Sequence, residues 1–366
     1  MGYKIVTSCA WMAVVMVLAF SSQADCKQKV SAMEPIPSLI QSIRFSEDVI
    51  FCGTRVPLED PQVKAMLEKE ILLALWNRPQ VILWMKRAAK FFPHIQQILT
   101  REQLPDDLKY VPVIESALRP HARSSANAVG YWQILKDTGQ RYGLRIDTRV
   151  DERRNIFKST RAACFYLKKL FDEFDSFVLA LAAYNMGEHG LAVEIDIQET
   201  SNYFALYLPL ETQQYVYKII AAKLILENPE KYGFDLEPVD LYPVFTFSQL
   251  NFSSDKQLPL VLIARAAGIS FKTLKIMNPE IRGYYLSPGR ASLLVPKGSE
   301  KDFNTRFADL YEQWQTRTHK KFHIVKSGES LISIAKEYNM SLAALLRLNN
   351  ISLKKMIHPG DRLVVK

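Results

Sequence analysis

The spacing of apolar positions changes character along the chain. From residue 60 to 230 apolar residues recur at helical intervals, in segments 62–77, 80–92, 95–102, 106–118, 130–142, 155–174, 177–187 and 211–228. Pro93, Pro105 and Pro209 mark helix starts or stops between them. No two-residue alternation interrupts this stretch. The pattern predicts an all-α domain over 60–230, large enough to bury its own core. Residues 25–59, with Pro35 and Pro37, read as a loosely packed lead-in. Residues 240–298 mix short apolar runs at 242–247 and 292–295 with helical segments, and residues 299–319 read as a polar helix or linker. Residues 320–366 predict a small βααβ unit: strand 323–326, helices 330–338 and 341–349, strand 362–365.

The last two regions share a repeat. A shift of 71 positions aligns Ile263-Ala264 with Ile334-Ala335, Ser270 with Ser341, Leu274 with Leu345, Asn278 with Asn349, and Pro288-Gly289 with Pro359-Gly360. The matches fall on a helix core, a helix cap, a helix end and a turn. The upstream copy lacks the opening Val325-x-x-Gly328-Glu329-Ser330-Leu331 of the downstream one, so 240–298 is expected to be its degenerate relative.

At the N-terminus, Lys4 precedes an uncharged run to Ala24, with small residues at Ser22 and Ala24. That is the layout of a cleaved export signal over 1–24. The run is also long enough for an uncleaved anchor, which leaves N-terminal or peripheral membrane attachment as the alternative. Asp25 before Cys26 does not suit a lipidation box. Export permits a bridge between Cys26 and Cys52, whereas Cys164, on a helical pattern, reads as a small buried apolar residue.

Composition narrows the classes. The 366 residues are 48% hydrophobic and 23% charged, which excludes a disordered or fibrous chain. Lys and Arg outnumber Asp and Glu by 47 to 38, for a net charge of +9, so an anionic partner is expected. Residues 320–366 hold nine of these basic residues against three acidic ones. Nucleic acid does not suit an exported chain, whereas an anionic wall polymer does. Four cysteines without C-x-x-C spacing, and no H-E-x-x-H, leave no metal site to predict.

One carboxylate falls where a helix should be apolar. The stripe Leu108, Val111, Leu118 places Glu115 on its face. A buried carboxylate costs several kcal/mol unless paired or neutralised. It is either partnered by a buried Arg or a general acid whose pKa burial has raised. Pro112, one turn earlier, removes a backbone donor and is expected to kink the helix. Tyr184-Asn185 ends an all-apolar helix, and its hydroxyl and amide need partners in the protein or on a ligand. Gly130-Tyr131-Trp132-Gln133 joins aromatic faces, a small backbone and an amide, a set suited to sugars or to a core.

Taken in order, Glu115-Ser116, Gly130-x-Trp132-Gln133, Ala183-Tyr184-Asn185 and Leu208-Pro209-x-Glu211-Thr212-x-x-Tyr215-Val216 resemble the lytic transglycosylase domain of family 23 glycoside hydrolases, in its D-type form. The resemblance covers about 60–230 and implies a lysozyme-like helical fold. It implies Glu115 as sole acid/base, with Ser116, Gly130, Trp132, Gln133, Tyr184, Asn185 and Tyr215 lining a glycan cleft. Residues 320–366 resemble a LysM module, which implies an N-acetylglucosamine-binding groove between Gly328, Glu329, Ser330 and Leu331 on one side and Ile357, Pro359 and Gly360 on the other. The implied substrate is peptidoglycan, and no metal or organic cofactor is implied. The expected reaction cleaves the bond between N-acetylmuramic acid and N-acetylglucosamine to leave a 1,6-anhydro end, in the periplasm or cell envelope. Its rivals are a lysozyme-like hydrolase and a non-catalytic wall-binding protein. The expected fold class is thus α followed by small α+β modules. Oligomeric state, endo or exo action and physiological role are not legible.

Overall fold

The computed structural model describes residues 38–318, 321–353 and 355–365; the export segment and Cys26 lie outside them. Cys52 forms no disulfide among the described residues, and burial, with the Asp107 charge, pushes its thiol well above its usual range. After a short helix α1 (Leu39–Ser42), a hairpin of β1 (Ile50–Phe51) and β2 (Thr54–Arg55) packs into the main core through Val49, Phe51 and Val56. The lead-in is therefore held more firmly than its mixed composition suggests.

Helix α2 (Pro61–Trp76) starts where Asp60 accepts the Gln62 and Val63 N–H groups. Pro61 occupies the first turn, where its missing donor is harmless. Helix α3 (Arg78–Arg101) corrects the expected break at Pro93, running through it for 24 residues. A proline inside a helix costs about 3 kcal/mol. Phe91, Ile95, Ile98 and Leu99 are all buried around it, and each such side chain contributes about 1.5–3 kcal/mol. Burial wins.

A 3-10 turn (Asp106–Tyr110) leads into α4 (Val111–Ser116). The helix expected over 130–142 shrinks to α5 (Lys136–Arg141), because Gly130 (φ +88°) and Gln133 (φ +47°) take left-handed conformations that no helix admits. Helix α6 (Ile156–Phe174), capped by Asn155, buries Cys164, whose thiol burial pushes up to about 12. Helix α7 (Phe177–Met186) is buried from Val178 to Ala183, as its apolar run requires. Helix α8 (Glu188–Gln198), which the periodicity did not reveal, follows directly at Gly187. Helix α9 (Leu210–Glu227) packs against α2, α4 and α7 and carries Tyr215 inward. No helix among the described residues is long and apolar enough to cross a membrane.

The chain then lies along α3, where Phe245 N–H donates to Lys90 O (3.1 Å) and its carbonyl contacts His94 Nε2 (2.7 Å). The apolar run at 242–247 forms this contact, and the first strand of the middle unit begins directly after it, at Ser248. The middle unit pairs β3 (Ser248–Ser254) antiparallel with β6 (Gly289–Val295), around α10 (Leu260–Ala266) and α11 (Phe271–Met277). A small pair, β4 (Leu258–Pro259) and β5 (Tyr285–Leu286), closes one end. Helix α12 (Phe303–Thr318) covers this unit with Phe303, Phe307, Leu310 and Tyr311, so it is more than a linker. The last unit repeats the plan: β7 (Lys321–Ile324), α13 (Leu331–Glu337), α14 (Leu342–Asn349) and β8 (Arg362–Val365).

The two units share one polar device. Asn278 Nδ2 donates to Leu274 O (2.9 Å) and Leu294 O (2.7 Å), and its Oδ1 accepts Leu294 N–H (2.8 Å). Asn349 Nδ2 donates to Leu345 O and Val364 O (both 2.9 Å), and its Oδ1 accepts Val364 N–H (2.6 Å). In each, an amide at the end of the second helix completes the unpaired side of the last strand.

Candidate active site

Glu115 sits on the last turn of α4. Pro112 falls in that helix's first turn, so it marks the change from 3-10 to α geometry instead of kinking a longer helix. The helix stops at Ser116 because Ala117 (φ +51°) and Leu118 (φ +56°) are both left-handed. Such residues cost about 1–2 kcal/mol each. They are held by Ala117 N–H to Val113 O (2.8 Å), Leu118 N–H to Pro112 O (3.1 Å) and Arg87 Nη1 to Ala117 O (3.0 Å). This strained exit fixes where the Glu115 side chain leaves the helix.

Among the described residues no arginine hydrogen-bonds to Glu115. Its carboxylate accepts the Tyr215 hydroxyl from α9, a residue that is itself buried. Burial pushes the Glu115 carboxyl up to about 7; the Tyr215 hydrogen bond works against this, and the Glu211 charge adds to it. The group therefore exchanges a proton near neutral pH, as a residue acting first as acid and then as base requires. Glu211 is exposed in the first turn of α9. Asp137, in the first turn of α5, is exposed as its polar face predicts.

Other predicted residues frame this carboxylate at different depths. Tyr184 donates its hydroxyl to Trp132 O (2.6 Å), and the Glu115 charge helps burial raise its pKa. Asn185 Oδ1 accepts the hydroxyl of Thr212 (2.8 Å), a buried residue of the α9 motif that was not singled out as functional. Half-buried Gln133 donates to Gly130 O (2.8 Å) and Ala122 O (3.2 Å), bracing the loop that follows α4.

Two of the expected cleft residues are buried. Trp132 is 0% exposed and Ser116 3%, so neither has a face to offer a sugar. Trp132 Nε1 donates to Thr160 Oγ1 (2.9 Å), pinning the 130–133 turn to α6. The Ser116 hydroxyl bridges Tyr131 O (2.8 Å) and Pro112 O (3.1 Å), tying that turn to the Glu115 helix. Gly130 is likewise structural: a Cβ there would lie 1.9 Å from Arg153 O. Buried Arg153 in turn grips Asp151 (2.8 and 3.0 Å) and donates to Asn127 O and Ile134 O.

In the last unit, the two expected loops are neighbours. Gly360 N–H donates to Val325 O (2.8 Å), and Val325 N–H to Asp361 O (2.9 Å). Gly328 (φ +85°) and Gly360 (φ +98°) turn the two loops. Ser330 caps α13, and Leu331 and Ile357 pack on the small core. The Glu329 carboxylate turns inward, accepting Lys326 N–H (2.7 Å) and meeting buried His323 Nε2 (2.6 Å). It shapes its loop from within.

Comparison with known proteins finds similarity in both parts of the chain. Residues 93–205 match the profile of the Transglycosylase SLT domain, and residues 323–366 that of the LysM domain. Residues 93–205 of the helical domain are thus similar to the SLT domain, and the last βααβ unit to the LysM domain. It is 32% identical over 293 residues to the membrane-bound lytic murein transglycosylase D of Escherichia coli K12, covering 76% of this chain and 64% of the relative's length. It is also 34% identical over 111 residues to a putative tributyltin chloride resistance protein of Alteromonas sp. strain M-1, covering 29% of this chain and 53% of that one. A solved lytic transglycosylase Slt from Pseudomonas aeruginosa is 19% identical, with a TM-score of 0.31 over 42% of this chain and 26% of that one.

Proposed function

We propose that the protein is a peptidoglycan lytic transglycosylase in which Glu115 is the single general acid/base. The observation that carries the reading is the enclosed Glu115 carboxyl, held near neutral pKa and oriented by Tyr215. Protonated Glu115 gives its proton to the glycosidic oxygen between N-acetylmuramic acid and N-acetylglucosamine, and the C1–O bond breaks. The muramyl N-acetyl group stabilises the positive charge at C1. The Glu115 carboxylate then takes the proton of the muramyl C6 hydroxyl, O6 bonds to C1, and the acid is regenerated. No water is consumed. A hydroxyl held on the same sugar has a far higher effective concentration than free water.

The LysM domain supports the same substrate, since its excess of basic residues suits an anionic wall polymer. Gly328 and Pro359 stand on the two loops that would meet the glycan, and action in the periplasm or cell envelope, after export by the 1–24 segment, fits both domains.

One observation favours a second reading. Glu211 is close enough for its charge to act on Glu115, and a second carboxylate is what a hydrolase uses to activate water. Digestion of sacculi in heavy-oxygen water separates the two. Unlabelled anhydromuropeptides are expected, and predominantly labelled reducing muramic ends would make the protein a lysozyme-like hydrolase.

A further inference from the structure

A basic groove of about 400 Å³ opens where the middle unit meets the helical domain, lined by His121, Arg154, Lys272, Lys275 and Arg282. Its other walls are apolar, and no carboxylate lines it. The loop after α4 brings His121, the turn before α6 brings Arg154, α11 brings Lys272 and Lys275, and the segment after α11 brings Arg282. Neither domain alone makes this site.

The seam beneath it is rigidly bonded. Asp151 N–H donates to Glu280 O (2.9 Å), Arg282 N–H to Arg149 O (2.8 Å), and Asn155 Nδ2 to Glu280 Oε1 (2.8 Å). These bonds fix the segments that carry the cations, whose charge is offset from behind at Arg154, ion-paired with buried Asp151, and at Lys275, which the Glu280 charge reaches, but not at the groove mouth. Lys272 and Arg282 are exposed and form no ion pair among the described residues. Arg154 contacts His121 Nδ1 (2.8 Å), while its enclosed Nε has no hydrogen-bond partner. Lys275 donates to the carbonyls of Ile281 and Gly283, which are neutral. Behind the wall, buried Asp151 is gripped by Arg153 and lies 3.6 Å from Arg154 Nε. Burial disfavours the charged form of Glu280. With Lys272 and Arg282 unpaired at the mouth, the groove keeps an excess of positive charge that an anionic ligand would offset.

The groove shares a loop with the catalytic cleft. Ala122, next to His121, accepts the Gln133 amide through its carbonyl. We infer that the groove binds the carboxylate-bearing peptide stem that a muramyl sugar carries. This rests on the glycan-cleaving reading above and adds the peptide as a second recognition element. Its guanidinium and ammonium groups match carboxylates, and the apolar walls accept alanyl methyl groups.

The test uses the full chain and two soluble probes, the alanyl-γ-glutamyl-diaminopimelyl tripeptide and the same peptide with its carboxylates converted to carboxamides. Binding is read by calorimetry, together with cleavage kinetics on glycan strands bearing or stripped of peptides. Lys272→Glu combined with Arg282→Glu changes only exposed side chains, and an unchanged thermal midpoint confirms folding. The acidic peptide should bind the wild type at least about tenfold more tightly than the amidated one, and the double variant should lose this preference. KM for peptide-bearing strands should rise about tenfold in the variant, with kcat on stripped strands unchanged. Equal binding of the two peptides, or a variant that binds as the wild type does, would overturn the inference. Peptide binding with no cleavage of either strand would instead reject the enzymatic reading and leave the groove standing.

Discussion

The Tyr215 hydroxyl donates a hydrogen bond to the Glu115 carboxylate from a helix one hundred positions away in sequence. The bond favours the ionised carboxylate, opposing the burial that favours the neutral acid. Tyr215→Phe removes that restraint, so the Glu115 pKa should climb further. A lost hydrogen bond to a charged group is worth about 1.5–3 kcal/mol, so the alkaline limb of kcat should move up by about one to two pH units. An unmoved pH profile would mean that Tyr215 does not tune the acid.

Glu115→Gln keeps the shape of the side chain and cannot deliver a proton. Turnover should fall by at least about a thousandfold while binding to sacculi persists. Near-normal turnover in this variant would remove Glu115 from its assigned role.

The same substitution has a stability signature. A carboxyl at about 7 in the folded chain, against 4.5 when unperturbed, keeps its proton between those pH values only while folded. Rising pH therefore destabilises the wild type progressively from about 4.5 to above 7, because the native state must give up a proton the unfolded state has already lost. Glu115→Gln lacks this titration. Its stability relative to wild type should improve by roughly 2 kcal/mol between pH 4 and pH 8, after allowance for solvent at the cleft mouth. Urea unfolding at the two pH values gives the comparison, and a pH-independent difference would contradict the raised pKa.

Trp132→Phe deletes the indole donor to Thr160 and leaves a partly filled core. The loss should be about 2–3 kcal/mol, from a missing hydrogen bond and lost packing. KM for glycan should stay within about twofold, since Trp132 has no exposed surface. A large rise in KM with unchanged stability would return Trp132 to the cleft.

Asn349→Ala leaves the Val364 N–H and carbonyl without their partner. The LysM domain should lose about 2–3 kcal/mol. Binding to sacculi should weaken, while cleavage of short soluble glycans is unaffected, because the helical domain has its own core. Loss of both activities together would mean that the domains do not fold independently.

The sequence by itself determined the helical domain, the βααβ unit and the position of Glu115. These follow from short-range rules. Apolar spacing defines helix faces, and a carboxylate on such a face is visible without coordinates. The repeat was legible for the same reason: Asn278 and Asn349 end equivalent helices, and their shared bonding lies in the local geometry that spacing encodes. Pro93 misled because helix breaking is a local penalty, and burial of Phe91, Ile95 and Ile98 by distant residues outweighs it. Trp132 stayed ambiguous in the sequence because an aromatic suits a sugar and a core equally, and its bond to Thr160 of α6 is visible only in the tertiary structure. The pKa of Glu115, the reach of Tyr215 and the cationic groove all depend on which segments fold beside one another. Desolvation and charge act through space over a few ångströms, and the residues brought within that range lie far apart in sequence, as Glu115 and Tyr215 do at 100 positions.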